Sequence, residues 1–414
     1  MPATDPPRPD DDPTATPAHE LPRSGASLWV HDRPPAPTHA PLAGDATTDV
    51  VVVGAGMAGL TAADVLSRAG VGVRVLESRR LGSGATGFTT AKISLLQGSR
   101  HHTIARRHGA ATVRHYADAN REGAEHLRAR LDELGLPVEE RDAVTYALGR
   151  SGLPTVEGEF EASRAAGVPV ERALQPPDLG VAVAGAVVLP GQAQFDPVPY
   201  LGALATAVEA AGGRVHEETR VVAVDRDDRA GDETRFVVRT ERGAVRARHV
   251  LVCTGMPLVD RGLYFARLEP LRSYCVALRV DGGPPPGLPM AINVDSPTRS
   301  LRTAPDPAGG PDLLLVGGEG HVVGCEPDTV GRYEALVAWA EAHHPVTEVA
   351  WRWSTQDYEA VDELPYVGGG GTLPDGMLVA TGFAKWGMTN GAAAGLALAD
   401  DVRGRPARSW RGAF

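Results

Sequence analysis

Lysine is almost missing from this 414-residue chain: of its 41 Lys and Arg residues, two are lysine, Lys92 and Lys385. A chain so biased toward arginine retains lysine where a guanidinium will not serve. Lysine is a compact ammonium whose proton affinity shifts on burial, whereas arginine is planar and permanently charged. Cysteine is also scarce. Cys253, Cys275 and Cys325 lie far apart without C-x-x-C spacing, which argues against a metal cluster or a dithiol redox pair. No metal is expected, and reduced thiols suit a cytoplasmic protein. No apolar run reaches about 18 residues, so no transmembrane helix is expected. The N-terminus lacks a basic region followed by an apolar stretch, so it does not read as a secretory signal. A basic surplus is absent too: the net charge of −11 argues against nucleic acid or an anionic membrane as the main partner.

The rest of the composition is that of a globular protein, 43% hydrophobic and 22% charged, and the length suggests two domains. Residues 1–24 are rich in proline and aspartate and read as a disordered tail. "SLWVHD" follows, expected to pack onto the fold through Trp29. A helical pattern runs from His102 to Leu134. "RSYCVALRV", "MAINVD", "RSLRTAP" and "DLLLVGGE" read as successive strands of an antiparallel sheet. α/β segments at both ends with antiparallel strands between them suggest a nucleotide-binding domain in separated pieces.

"DVVVVGAGMAG" places Gly54, Gly56 and Gly59 as G-x-G-x-x-G directly after a buried strand. The first glycine permits the tight turn, the second admits a pyrophosphate, and the third lets helix and strand pack closely. The helix opening at Met57 and Ala58 offers its N-terminal amides and dipole to the phosphates. Glu77 ends the next strand, followed by Ser78 and Arg79, where a carboxylate accepts from a ribose diol. FAD is favoured over NAD. The motif opens the fold, no second G-x-G-x-x-G follows, and two more strands end in matching turns, Thr254–Gly255 and Thr381–Gly382. An extended ligand touches several strand ends of one sheet.

On "DVVVVGAGMAGLTAA", "GATGFTTAKIS", "PLRSY", "GGEGH", "WRWSTQDYEAVDELPYVG" and "ATGFAKWGMTNG", the chain resembles the FAD-dependent amine oxidoreductases of the D-amino-acid-oxidase and glycine-oxidase superfamily. More narrowly, it is similar to the flavin part of bacterial oxidoreductases that carry a Rieske domain. The resemblance implies an α/β, Rossmann-like FAD-binding domain of discontinuous segments (25–110, 192–265 and 355–414) and an inserted antiparallel-sheet substrate domain (111–191 and 266–354). It implies that Gly84, Ala85, Thr86, Thr89, Thr90, Ala91 and Lys92 form a loop against the flavin, with a further contact at Val222. It places Gly382, Phe383, Lys385, Trp386, Gly387 and Met388 at the flavin pyrimidine, with Thr389 as helix N-cap. Two departures matter: Phe88 stands where the family often has histidine, and no paired Cys-x-His motif for a Rieske cluster occurs.

For catalysis the resemblance implies Lys385, Trp386, Arg272 and Tyr274. The last two lie two residues apart on one strand face, a carboxylate clamp in this superfamily. Gln97, His101, His102, Glu319 and His321 are further cavity candidates, and Gln356, Asp357 and Asp362 are expected to orient the chain's return to the FAD domain. No residue reads as a convincing base. Lys385, beside reduced flavin or superoxide, is expected to tolerate arginine less well than Lys92. The expected function is oxidation of a C–N bond in a small amine or amino acid by hydride transfer to flavin N5. Oxygen or a redox carrier protein would reoxidise the flavin. The alternatives are an electron-transfer flavoprotein serving a separate iron–sulfur partner, and a flavin monooxygenase, whose late "GD" motif is missing.

Overall fold

The computed structural model describes residues 25–30, 39–173, 178–227, 234–259 and 262–414; the expected tail lies outside them. Valine builds the centre of the first sheet. In the strand Ala46–Val53, residues 50–53 are all buried, as a parallel strand covered on both faces requires. It pairs in parallel with Gly243–Val252 on one side and Val73–Leu76 on the other. Met377–Thr381 adds beyond the first of these and Arg214–His216 beyond the second, within an eight-stranded sheet. Three parallel strands therefore end side by side, at Val53, Val252 and Thr381. A crevice at the carboxyl ends of such strands is where open α/β sheets bind ligands.

One face of this sheet carries the helices Met57–Arg68, Pro197–Ala210 and Thr389–Val402, with Ala110–Glu133 packed outside the last. Small residues set these crossings. A Cβ on Gly395 would lie 2.6 Å from Thr61 Cβ, and one on Gly123 would lie 2.2 Å from the Thr389 carbonyl.

The second sheet has nine strands, and the expected antiparallel run forms its heart. Leu268–Val280 lies between Val346–Ala360 and Leu313–Val322, followed by Arg299–Ala304 and Met290–Asn293. Glu139–Ala147, Gly185–Gln194 and the two-residue strand Lys92–Ile93 complete the main path. Trp29 packs as expected: it is buried with Cys275, Trp351 and Trp353.

The helical pattern at 102–134 is two helices, Arg100–His108 and Ala110–Glu133, because Gly109 between them takes a φ of 82°. Left-handed backbone ends a helix, and glycine adopts it without a Cβ clash. The two layers also interleave more than contiguous segments suggest. Lys92–Ile93 joins the second sheet, while Ala110–Glu133 packs on the nucleotide-side helix Thr389–Val402.

Gly123→Ala is expected to destabilise the protein by about 1–3 kcal/mol, the usual penalty of overpacking. The check is a lower denaturation midpoint with unchanged slope.

Candidate active site

A cavity of about 890 Å³ lies between the sheets, at the carboxyl ends of the three parallel strands. Its floor is the glycine turn. Gly54 takes a φ of +100°, and a Cβ there would lie 2.8 Å from the Cys253 carbonyl. A Cβ on Gly59 would lie 2.0 Å from the Gly54 carbonyl, so helix and turn meet at backbone distance. Gly56 precedes the helix with no side-chain cap. The Met57 amide donates to Thr86 Oγ1 at 3.3 Å. Glu77 accepts from the Ala55 and Arg79 amides, each at 3.0 Å, one to each oxygen. Its carboxylate is thereby fixed at the end of the second strand with lone pairs to spare.

The loop over this floor is held by its carbonyls. Gly87 accepts from Ser27 Oγ, Phe88 from Trp353 Nε1, Thr89 from Trp29 Nε1, and Thr90 and Ala91 from the Arg302 guanidinium. Five consecutive acceptors are thus satisfied, and none is left unpaired to repel a diphosphate.

A second uncapped helix N-terminus meets the cavity at Met388. The turn before it is held in left-handed backbone, with φ of 49° at Ala384 and 70° at Lys385. Asp357 fastens it: one carboxylate oxygen accepts from the Tyr358 amide at 2.7 Å and the other from the Lys385 amide. Burial raises the Asp357 pKa, against those two hydrogen bonds and the Lys385 charge. The Lys385 side chain is exposed, and its Nζ lies 3.0 Å from where a Gly320 Cβ would stand.

The other wall is the second sheet. Tyr274 is buried against Tyr333, and its hydroxyl shares a 2.9 Å hydrogen bond with His321 Nε2. Glu319 accepts from Arg299 at 2.5 Å and from Arg332 at 2.8 Å. Burial would raise its pKa, but those two guanidiniums prevail and hold it below the ordinary carboxylate value. Lys92 is buried. Its Nζ donates to Ser300 Oγ and lies 3.5 Å from the Ala291 carbonyl. Burial, then the Arg302 charge, bring its pKa down to about 7. Ser273 Oγ, also on this wall, is buried with no protein partner, so the wall retains unused hydrogen-bonding capacity.

The cavity gathers Gly54, Gly56, Met57, Ala58, Glu77, Ser78, Arg79, Gly84, Ala85, Thr86, Thr89, Thr90, Lys92, Thr254 and Gly255. Tyr274 and Gly382, Phe383, Lys385, Trp386, Gly387 and Met388 complete it. Other expected residues lie elsewhere. Gly59 and Ala91 are buried behind the lining. Val222 is 54% exposed on the strand Val221–Arg226, outside the cavity. Thr389 is not the N-cap; it is the first helical residue, and its hydroxyl donates to Asn120 Oδ1 in a buried network with Gln97.

Arg272 is not among the cavity residues and does not join Tyr274 there. Its guanidinium donates to Ser354 at 2.8 Å, and pairing with the strand Leu313–Val322 shifts register between Arg272 and Tyr274. His101 is buried outside the cavity, bonded to Ser163, and His102 packs against Gly158. Gln356 and Asp357 line the cavity, while the Asp362 carbonyl accepts from His108. Ser300, Arg299 and Arg332 were not legible in the sequence. They come from a strand and a helix without a local motif, and only the sheet brings them to Lys92 and Glu319.

The family described as DAO, FAD dependent oxidoreductase, matches residues 49–401. The Bacillus subtilis (strain 168) protein YhfW, which carries a Rieske 2Fe-2S iron–sulfur name, is 32% identical over 372 residues. The match spans 88% of this chain and 70% of YhfW. The Escherichia coli (strain K12) gamma-glutamylputrescine oxidoreductase is 29% identical over 221 residues, 52% of this chain and 50% of that protein. Glycine oxidase from Geobacillus kaustophilus superposes with a TM-score of 0.69 at 22% identity, covering 87% of this chain and 96% of the other.

Glu77→Ala is expected to weaken FAD binding about tenfold, or about 1.4 kcal/mol, when apoprotein is titrated with FAD and followed by flavin fluorescence. Val222→Ala, away from the cavity, is expected to leave the affinity unchanged.

Proposed function

The chain belongs to the DAO family of FAD-dependent oxidoreductases, and on that premise we propose that it oxidises a C–N bond of a small amine or amino acid. One observation carries the reading: a single cavity joins a dinucleotide floor to a wall of separate origin. The glycine turn and Thr86 would hold the diphosphate, Glu77 the ribose, and the Lys385–Met388 turn the flavin pyrimidine. Bound FAD supplies the oxidant for the substrate's C–H bond. Relatives named for glycine and gamma-glutamylputrescine support the substrate class.

The protein's own part is placement and exclusion of water. Hydrogen removal requires reacting atoms held about 3–3.5 Å apart. Tyr274, Trp353 and Ile292 give the wall apolar surface, and Ser273 and Ser300 give it hydroxyls. Arg272, on the strand Leu268–Val280, is bonded to the neutral Ser354 hydroxyl and has no carboxylate partner among the described residues. Arg332 and Arg299 are engaged by Glu319, and Arg332 also by Glu326. Oxygen or an external carrier takes the electrons onward. The likeness to YhfW favours an iron–sulfur carrier as the second reading.

Mixing FAD-loaded protein anaerobically with a panel of amines and amino acids tests the proposal. At least one amine is expected to bleach the flavin absorbance, and failure of the whole panel would contradict it. Admitting air then separates the acceptors. Rapid recovery with hydrogen peroxide identifies oxygen, and recovery only with an added iron–sulfur protein identifies the carrier.

A further inference from the structure

Lys92 is placed as no other ionisable group on the cavity is. It opens the short strand Lys92–Ile93, paired to Gln194 and Ala193, and its side chain crosses to the strands Met290–Asn293 and Arg299–Ala304. There it meets two oxygens, Ser300 Oγ and the Ala291 carbonyl. The carbonyl can only accept. A neutral amine satisfies both oxygens with its two hydrogens and keeps its lone pair.

Among the described residues, no carboxylate pairs with Lys92. Those on the cavity are engaged: Glu319 by Arg299 and Arg332, Asp357 by two backbone amides, Glu77 by Ala55 and Arg79. Two ionisable groups bear on it. Arg302, on Arg299–Ala304, is a cation held by the carbonyls of Thr303, Thr90, Ala91 and Phe195. Cys275, on Leu268–Val280, is a neutral thiol whose pKa burial pushes up to about 12. A second positive charge at Lys92 would sit buried, beside a permanent one, without a counter-ion.

We propose that the Lys92 amine takes the proton from the substrate's ammonium group before the adjoining C–H bond is oxidised. This rests on the amine-oxidation reading above. An amine reaches the protein mostly protonated, and an ammonium nitrogen has no lone pair to assist loss of hydrogen from its carbon. In the transfer one N–H bond of the substrate breaks and one forms on Nζ. The positive charge moves from ligand to protein, and the charge inside the cavity is unchanged. No electrons move in this step; the oxidant for the next is the family's FAD. Other candidates are worse placed. His321 is bonded to Tyr274 and the Val322 carbonyl, and burial raises the Tyr274 pKa. An arginine at position 92 would stay protonated and could not accept.

The chain's two lysines make the test direct. Protein labelled with [ε-13C]lysine gives two Cε resonances, and Lys385→Arg leaves that of Lys92. In FAD-loaded protein without substrate, this resonance is expected to titrate near pH 7, about three units below free lysine. Anaerobic flavin reduction by an active amine is expected to slow about tenfold per pH unit below 7. Lys92→Met and Lys92→Arg should lose the plateau above pH 7, their rate still rising about tenfold per pH unit toward the pKa of the free amine, and reduce about 100-fold more slowly at pH 8. A midpoint above 9 with reduction intact overturns the role of Lys92 alone, and so does Lys92→Met with the wild-type pH profile. A midpoint near 7 with no amine able to bleach the flavin overturns the amine reading, and with it the source of the proton. The titration decides even if the position-92 variants fail to fold.

Discussion

The hydrogen bonds that capture the carbonyls of Gly87 to Ala91 fix the rest of this structure. Donors come from Ser27 and Trp29 at the start of the described chain, from Trp353, and from Arg302. They therefore tie the loop after the second parallel strand to the antiparallel sheet. This holds Thr86 against the Met57 amide and delivers Lys92 to the second sheet. A buried guanidinium with several carbonyl partners is rigid and oriented. Its charge is also what Lys92 meets, so one contact sets both the shape of the cavity and the proton affinity within it.

The nucleotide half was legible because its physics is local. Gly54, Gly56 and Gly59 answer to one turn, and their Cβ distances give the reason for each. Glu77 follows at the end of one strand. The antiparallel strands were legible as successive short apolar runs. The second wall was not, because it is assembled by pairing between distant segments. Ser300 reaches Lys92 across 208 residues of sequence, and no spacing rule reports that. Arg272 does lie near Tyr274, close enough for its charge to act on the Tyr274 hydroxyl, but it turns to Ser354 and stays off the cavity lining. Thr389 fails as a cap because Asn120 and Gln97, from other segments, compete for its hydroxyl.

The rarity of lysine now has a physical reading, one different from the sequence expectation that Lys385 is the more demanding position. Lys385 is exposed, and what its turn requires is the backbone amide that Asp357 holds. Lys92 is buried beside a fixed cation without a carboxylate. That surrounding distinguishes an amine from a guanidinium, because only the amine can shed its charge. On the second-sheet side, Arg299 and Arg332 are neutralised by Glu319 and Glu326.

On this reading one dinucleotide spans both helix N-termini and presents its ring to the wall carrying Lys92. A crystal structure of the FAD-loaded protein tests it most directly. The account predicts the diphosphate on the Gly54–Gly59 turn and the flavin ring between the Lys385–Met388 turn and Lys92, with Ser300 still bonded to Nζ. A ring on the far side of the first sheet, or a diphosphate away from the glycine turn, would contradict it.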